Sequence, residues 1–217
     1  MSQIARHLVA HRGLWRHPQD RNSLESLTRA SRQGFGVETD LRDWEGELVV
    51  SHDPPRRSPL DAVSCLGGVA SESLPERVIA LNIKSDGLLD RLSPIHKLLT
   101  GHDHFYFDMS TPELIRFMRS GLPVAMRLSE YETLNPRLVK LAHKPLRLWV
   151  DAIDSDWWLN DNQLSHIPDD SRLYLVSPEL HGRNPQNVWS WFLESVSRGR
   201  NVFLCTDQPE EVSRMNQ

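Results

Sequence analysis

A single-domain α/β fold, a parallel (β/α)8 TIM barrel, is the architecture this sequence predicts. Short apolar runs rich in β-formers alternate with stretches of helical periodicity, the pattern of parallel βα units. Eight such runs can be counted, and ionisable residues gather where they end, the place where barrels carry their chemistry. The 217 residues are lean for this fold, which typically takes about 250, so short connections are expected. Residues 1–217 read as one domain, without internal repeat, low-complexity tract or interdomain linker.

The first strand is expected at about His7 to Arg12, followed by a helix from Ser23 to Gln33 that Gly34 ends. The second spans Gly36 to Arg42. Leu48 to Ser51 then reads as a short extension inside the second βα connection, because Glu45-Gly46-Glu47 turns the chain tightly back. That extension is expected to carry His52 over the barrel mouth. The next connection, Asp53 to Val78, is short and broken up by Pro54-Pro55, Pro59 and Gly67-Gly68. Val78 to Lys84 and Phe105 to Met109 form the third and fourth strands. Thr111-Pro112-Glu113 opens a helix that ends at Gly121. The remaining strands fall at Val124 to Leu128, Leu146 to Asp151, Leu173 to Ser177 and Val202 to Thr206, and Pro209-Glu210-Glu211 starts the last helix.

A formal charge of −4 argues against nucleic acid as partner, so a phosphate ligand would be held by local cations such as Arg12 and Lys84. The two cysteines, Cys65 and Cys205, lack metal-ligand spacing, and Cys205 lies in an apolar run where a buried thiol is expected. Met1 to Arg6 is too short and polar for a signal peptide, and no apolar run approaches about 18 residues. These features are those of a soluble cytoplasmic protein without an integral membrane segment.

The chemistry is concentrated near the start, in Ala10-His11-Arg12-Gly13, Glu38-Thr39-Asp40 and Ser51-His52-Asp53. Two histidines, an arginine and paired carboxylates form a kit for breaking a phosphodiester with help from a divalent metal. His11 and His52 supply the imidazole that takes a proton and the imidazolium that gives one, in an order the sequence leaves open. Arg12 is a planar, permanently charged fork for two phosphate oxygens, and Gly13 allows close backbone approach. Lys84 adds a second cation at a strand end. Glu38 and Asp40, two apart on a strand, face the same side, and two carboxylates inside a barrel call for a cation between them. Oxygen ligands of this kind suit Mg²⁺ or Ca²⁺.

Taken with Asn22-Ser23, Leu81-Asn82-Ile83-Lys84 and Thr206-Asp207-Gln208-Pro209, these motifs resemble the glycerophosphodiester phosphodiesterases. The resemblance is specific in the first quarter and thin between Asp108 and Glu179. It implies a TIM barrel that hydrolyses a phosphodiester of a small polar alcohol, with His11 and His52 as the acid–base pair. It also puts Asn82 where the family has a metal-binding glutamate. Glu38, Asp40 and Asn82 would then hold the metal, with an amide oxygen replacing one charge, unless Asp108 or Glu179 compensates. Two other outcomes are open: a reaction that stops at a cyclic phosphate, and a non-catalytic barrel that binds phosphorylated ligands.

The second half adds Asp108, Arg127, Glu130, Asp151, Asp154, Glu179, His181 and Arg183 at strand ends, several of which are expected to line the same mouth. Trp157-Trp158 suits either packing under a loop or stacking on substrate, whereas Trp189 and Trp191 suit the core.

Overall fold

The computed structural model describes residues 3–160, 164 and 167–215. Met1 and Ser2, part of the opening segment read above, lie outside them. In chain order the strands are β1 (Leu8–His11), β2 (Gly36–Trp44), β3 (Glu47–Val50), β4 (Leu60–Asp61), β5 (Ile79–Ile83), β6 (His104–Phe107), β7 (Met126–Leu128), β8 (Arg147–Val150), β9 (Arg172–Val176) and β10 (Val202–Thr206). The helices are α1 (Leu24–Arg32), α2 (Ala62–Glu72), α3 (Ser93–Leu98), α4 (Thr111–Arg119), α5 (Pro136–Leu141), α6 (Trp157–Asn160), α7 (Gln186–Ser197) and α8 (Pro209–Arg214).

Eight of the strands form a closed parallel ring. β1 pairs with β2 on one side and β10 on the other, and the ring continues through β5, β6, β7, β8 and β9. Its thinnest seam lies between β6 and β7, where Tyr106 bridges Val124 and Ala125 N donates to Tyr106 O at 3.0 Å. These eight strands are the eight predicted. Because side chains alternate along a strand, every second residue enters the barrel. The lower interior is packed with Val9, Ala80, Phe105, Phe107, Trp149, Tyr174, Phe203 and Cys205, with Phe107 stacked on Trp149 at 3.9 Å. Below that plug, Arg172 forks onto Asp103. The interior is therefore a core, and only its upper, C-terminal end is polar.

The outer layer is the larger core, where helices cover the sheet. α1 starts at Ser23, whose hydroxyl accepts from Ser26 N at 3.1 Å, and buries Leu27 and Ala30 against the strands. The predicted extension is present as β3, antiparallel to β2 across a turn with Glu45 and Gly46 both at positive φ.

The connection after it differs from expectation. Gly67-Gly68 does not interrupt the chain; both lie within α2, which Asp61 caps by accepting from Ser64 N at 2.7 Å. The physical reason is packing. A Cβ on Gly68 would stand 2.7 Å from Leu24 Cδ1, so the missing side chain lets α1 and α2 approach. Trp158 is buried against Trp191 at 4.8 Å, and Trp189 is buried as expected, its Nε1 donating to Ser177 Oγ.

Candidate active site

The strands carry His11, Glu38 and Asp40 to the C-terminal end of the barrel. His11 ends β1, and Glu38 and Asp40 point inward from β2, 1% and 0% exposed. The register of β2 on β5 puts Asp40 beside Asn82, and Lys84 follows two residues on.

Backbone hydrogen bonds fix where His52 lies. Leu41 O accepts from Lys84 N on the β5 edge, while Asp40 O accepts from Ser51 N on the opposite edge. That opposite edge is the one β1 leaves after His11, whose partner on β2 is Glu38. β3 takes it over and brings His52 down to the level of Asp40, on the His11 side of the mouth. His52 lines a cleft of about 630 Å³ with Arg12, Arg21, Asn22, Ser23 and Asp53, and its Nδ1 lies 2.8 Å from Asp53 Oδ1.

Arg12 sits in the left-handed region at φ 56°, followed by Gly13 at φ 87°. This costly conformation turns the Arg12 N–H onto Glu38 Oε2 at 3.1 Å and brings its Nε within 3.1 Å of Asp40 Oδ2. Asn22, also left-handed at φ 59°, donates from Nδ2 to Asp40 Oδ2 at 2.8 Å and accepts from Thr39 Oγ1 at 2.8 Å. Asp40 is thereby fixed from two sides through one oxygen. Its other oxygen, Oδ1, is buried without a hydrogen-bond partner, 3.5 Å from Lys84 Nζ. Asn82 Oδ1 is likewise buried and unpartnered.

Glu38 is the electrostatic centre of the site. Burial, and then the negative charge of Asp40, push its carboxyl up to about 7, against the opposing pull of His11, Arg12 and Lys84. Two carboxylates and an amide oxygen, two of the oxygens unpartnered, form an all-oxygen donor set of the kind hard divalent cations take. Among the described residues no group of three or more His, Cys, Asp or Glu side chains is arranged around a metal position.

The second-half residues largely satisfy one another. Asp108 lies between Lys84, at 3.5 Å, and Arg127, which also grips Glu132. Glu179 accepts from the Ser177 and Thr206 hydroxyls and from Asp207 N. Of the two carboxylates raised above as substitutes for a ligand at Asn82, Glu179 is held by hydroxyl and backbone donors, and Asp108 shares Lys84 with Asp40. His181 Nε2 lies 2.7 Å from Asp151 Oδ1, and Arg183 Nη1 lies 2.7 Å from Asp156 Oδ1. Glu130 accepts the backbone N–H groups of Ile153, Asp154 and Ser155. Trp157 Nε1 donates to Asp151 O at 2.9 Å, anchoring the loop after β8.

Asn22 and Asp207 are visible in the sequence only as motif residues without a role, and Arg21 is not singled out; the structure sets Asn22 on Asp40, and Asp207 with Arg21 beside His11. The contact between His11 Nδ1 and Asp207 Oδ1, at 2.7 Å, joins residues 196 apart and exists only because the barrel closes.

No protein-family model matches the sequence, and neither does any curated protein. Solved structures do match. A glycerophosphodiester phosphodiesterase from Agrobacterium tumefaciens is 14% identical with a TM-score of 0.68, covering 96% of this chain and 99% of its own. A phosphodiesterase from Oleispira antarctica, in complex with the product sn-glycerol-3-phosphate, is 16% identical with a TM-score of 0.66, covering 96% and 95%. A glycerophosphodiester phosphodiesterase from Parabacteroides distasonis is 18% identical with a TM-score of 0.64, covering 97% and 96%. Along nearly its whole length, this chain has the TIM-barrel fold of the glycerophosphodiester phosphodiesterases.

Proposed function

We propose that this protein is a phosphodiesterase that hydrolyses a glycerophosphodiester-like substrate with a small polar headgroup, residues 1–217 acting as one cytoplasmic catalytic unit. The observation that carries the reading is the convergence of His11, Arg12, Glu38, Asp40 and Lys84 on one barrel mouth, with β3 returning His52 to the same side. The likeness to an enzyme that holds sn-glycerol-3-phosphate supports a small-molecule ligand.

Arg12 and Lys84, both already beside Asp40, bind the non-bridging phosphate oxygens. One histidine takes the proton of the attacking hydroxyl and the other protonates the leaving alkoxide, each such contribution being worth about 10²–10⁴-fold. Asn22 and the Arg12 N–H keep Asp40 and Glu38 from turning away. Mg²⁺ or Ca²⁺, held by Glu38, Asp40 and Asn82, would supply positive charge to the phosphate oxygens when bound. The charge-poor amide at Asn82 should make that site weaker than one with three carboxylates.

The test is glycerophosphoethanolamine cleavage in ¹⁸O-labelled water with millimolar Mg²⁺ or Ca²⁺. Labelled glycerol phosphate is the expected product. A cyclic phosphate as end product would make the protein a lyase-type enzyme. No cleavage of this or other glycerophosphodiesters, with retained binding of glycerol phosphate, would make it a non-catalytic barrel.

A further inference from the structure

His11 is held at both ends. Across the seam where β10 closes on β1, its Nδ1 lies 2.7 Å from Asp207 Oδ1. The other oxygen, Asp207 Oδ2, accepts from Arg21 Nη2 at 3.2 Å. The Arg21 guanidinium lies 4.2 Å from the centre of the Trp15 ring, and Trp15 Nε1 donates to the His11 carbonyl at 3.2 Å. These contacts make a closed ring that leaves from the His11 side chain and returns to its backbone. Asp207 is anchored from behind as well, its N–H donating to Glu179 Oε1 at 3.3 Å.

A carboxylate only accepts hydrogen bonds, so the proton on this edge of the imidazole belongs to Nδ1 and the lone pair to Nε2. Resting on the phosphodiesterase reading, we infer that Asp207 is the positioning residue of His11. It fixes the Nδ1–H tautomer and the ring orientation of His11, so that Nε2 is the atom through which His11 exchanges a proton with the substrate. In the first step one of the two imidazoles takes the proton of the attacking hydroxyl while that oxygen bonds to phosphorus. The bond from phosphorus to the leaving oxygen breaks, and the leaving oxygen takes a proton from the other histidine. Both histidines then carry the opposite protonation state, ready for the reverse transfer with water.

Arg21 makes the assignment testable. In Asp207→Asn the amide oxygen must face the Arg21 donor, which turns the amide NH₂ towards His11 Nδ1. That contact demands a lone pair on Nδ1, so the substitution should move the proton to Nε2. The experiment is ¹H–¹⁵N spectroscopy of the imidazoles at pH 9, with the His11 signals assigned by their loss in His11→Gln, alongside kinetics on glycerophosphoethanolamine.

The wild type should show Nδ1–H at His11 and Asp207→Asn should show Nε2–H. The kcat of Asp207→Asn should fall on the order of 10²-fold or more with KM within a few-fold, and Asp207→Glu should restore part of it. A wild-type His11 protonated at Nε2, or an Asp207→Asn enzyme with unaltered kcat, would overturn the inference. If the wild type cleaves no diester, the activity reading fails, and the tautomer of the wild type still decides whether Asp207 sets the imidazole.

Discussion

Removing the charge of Glu38 should stabilise the metal-free protein at alkaline pH, an unusual result for a buried polar residue. Its carboxyl is raised from 4.5 to about 7, first by burial and then by Asp40. At about 1.4 kcal/mol per pH unit, that shift places roughly 3 kcal/mol of penalty on the ionised form in the fold. The folded value lies above the unfolded one, so the native state holds the extra proton between about pH 4.5 and 7. The stabilisation from that proton is complete below 4.5 and is lost as the pH rises through 7. Glu38→Gln keeps the shape and an acceptor for the Arg12 N–H but has nothing to ionise. Urea unfolding with a chelator at pH 5, 6, 7 and 8 should show wild-type stability falling across the series and a flatter variant. At pH 8 the variant should be the more stable by about 1–3 kcal/mol. Added Mg²⁺ or Ca²⁺ should reverse that order by binding the wild-type carboxylates. Parallel pH profiles, with the variant less stable throughout, would refute the electrostatic argument.

Gly13→Ala should cost at least about 2 kcal/mol in denaturant unfolding, because φ is +87° and the new Cβ would stand 2.6 Å from the Ser26 carbonyl carbon. Arg12→Lys keeps the charge and loses the fork, so KM for the diester should rise on the order of tenfold. Asn82→Asp replaces an amide with a carboxylate beside the unpartnered Asp40 Oδ1 and should tighten Mg²⁺ or Ca²⁺ binding roughly tenfold by calorimetry. Asp108→Asn should leave that affinity within a few-fold, since Lys84 and Arg127 already hold its carboxylate.

The strands were legible because a parallel barrel buries both faces of each one, leaving short apolar runs that end in polar groups. Glu38 and Asp40 were legible for a related reason: a two-residue period puts both on one face whatever the rest of the fold. α2 was not, because its glycines look like breakers in sequence and act as a packing contact with Leu24 in space. Cys205 is buried as expected; Cys65 is buried too, and burial pushes its thiol up to about 12. The support around His11 was hidden for a topological reason. Asp207 meets His11 only when the last strand closes on the first, and Arg21 joins them from a connection with no periodic signal. The polar groups of the second half were visible as strand-end residues, but their pairing with one another depends on lateral neighbours in the barrel.

The most direct test of the central claim is the rate of glycerol phosphate release from a glycerophosphodiester by wild type, His11→Ala and His52→Ala, each with Mg²⁺ or Ca²⁺ and with chelator. The wild type should show metal-supported turnover and each variant a loss of about 10²–10⁴-fold, with unfolding curves showing both variants folded. Turnover near wild type in either variant, or a wild-type rate indifferent to chelation, would contradict it.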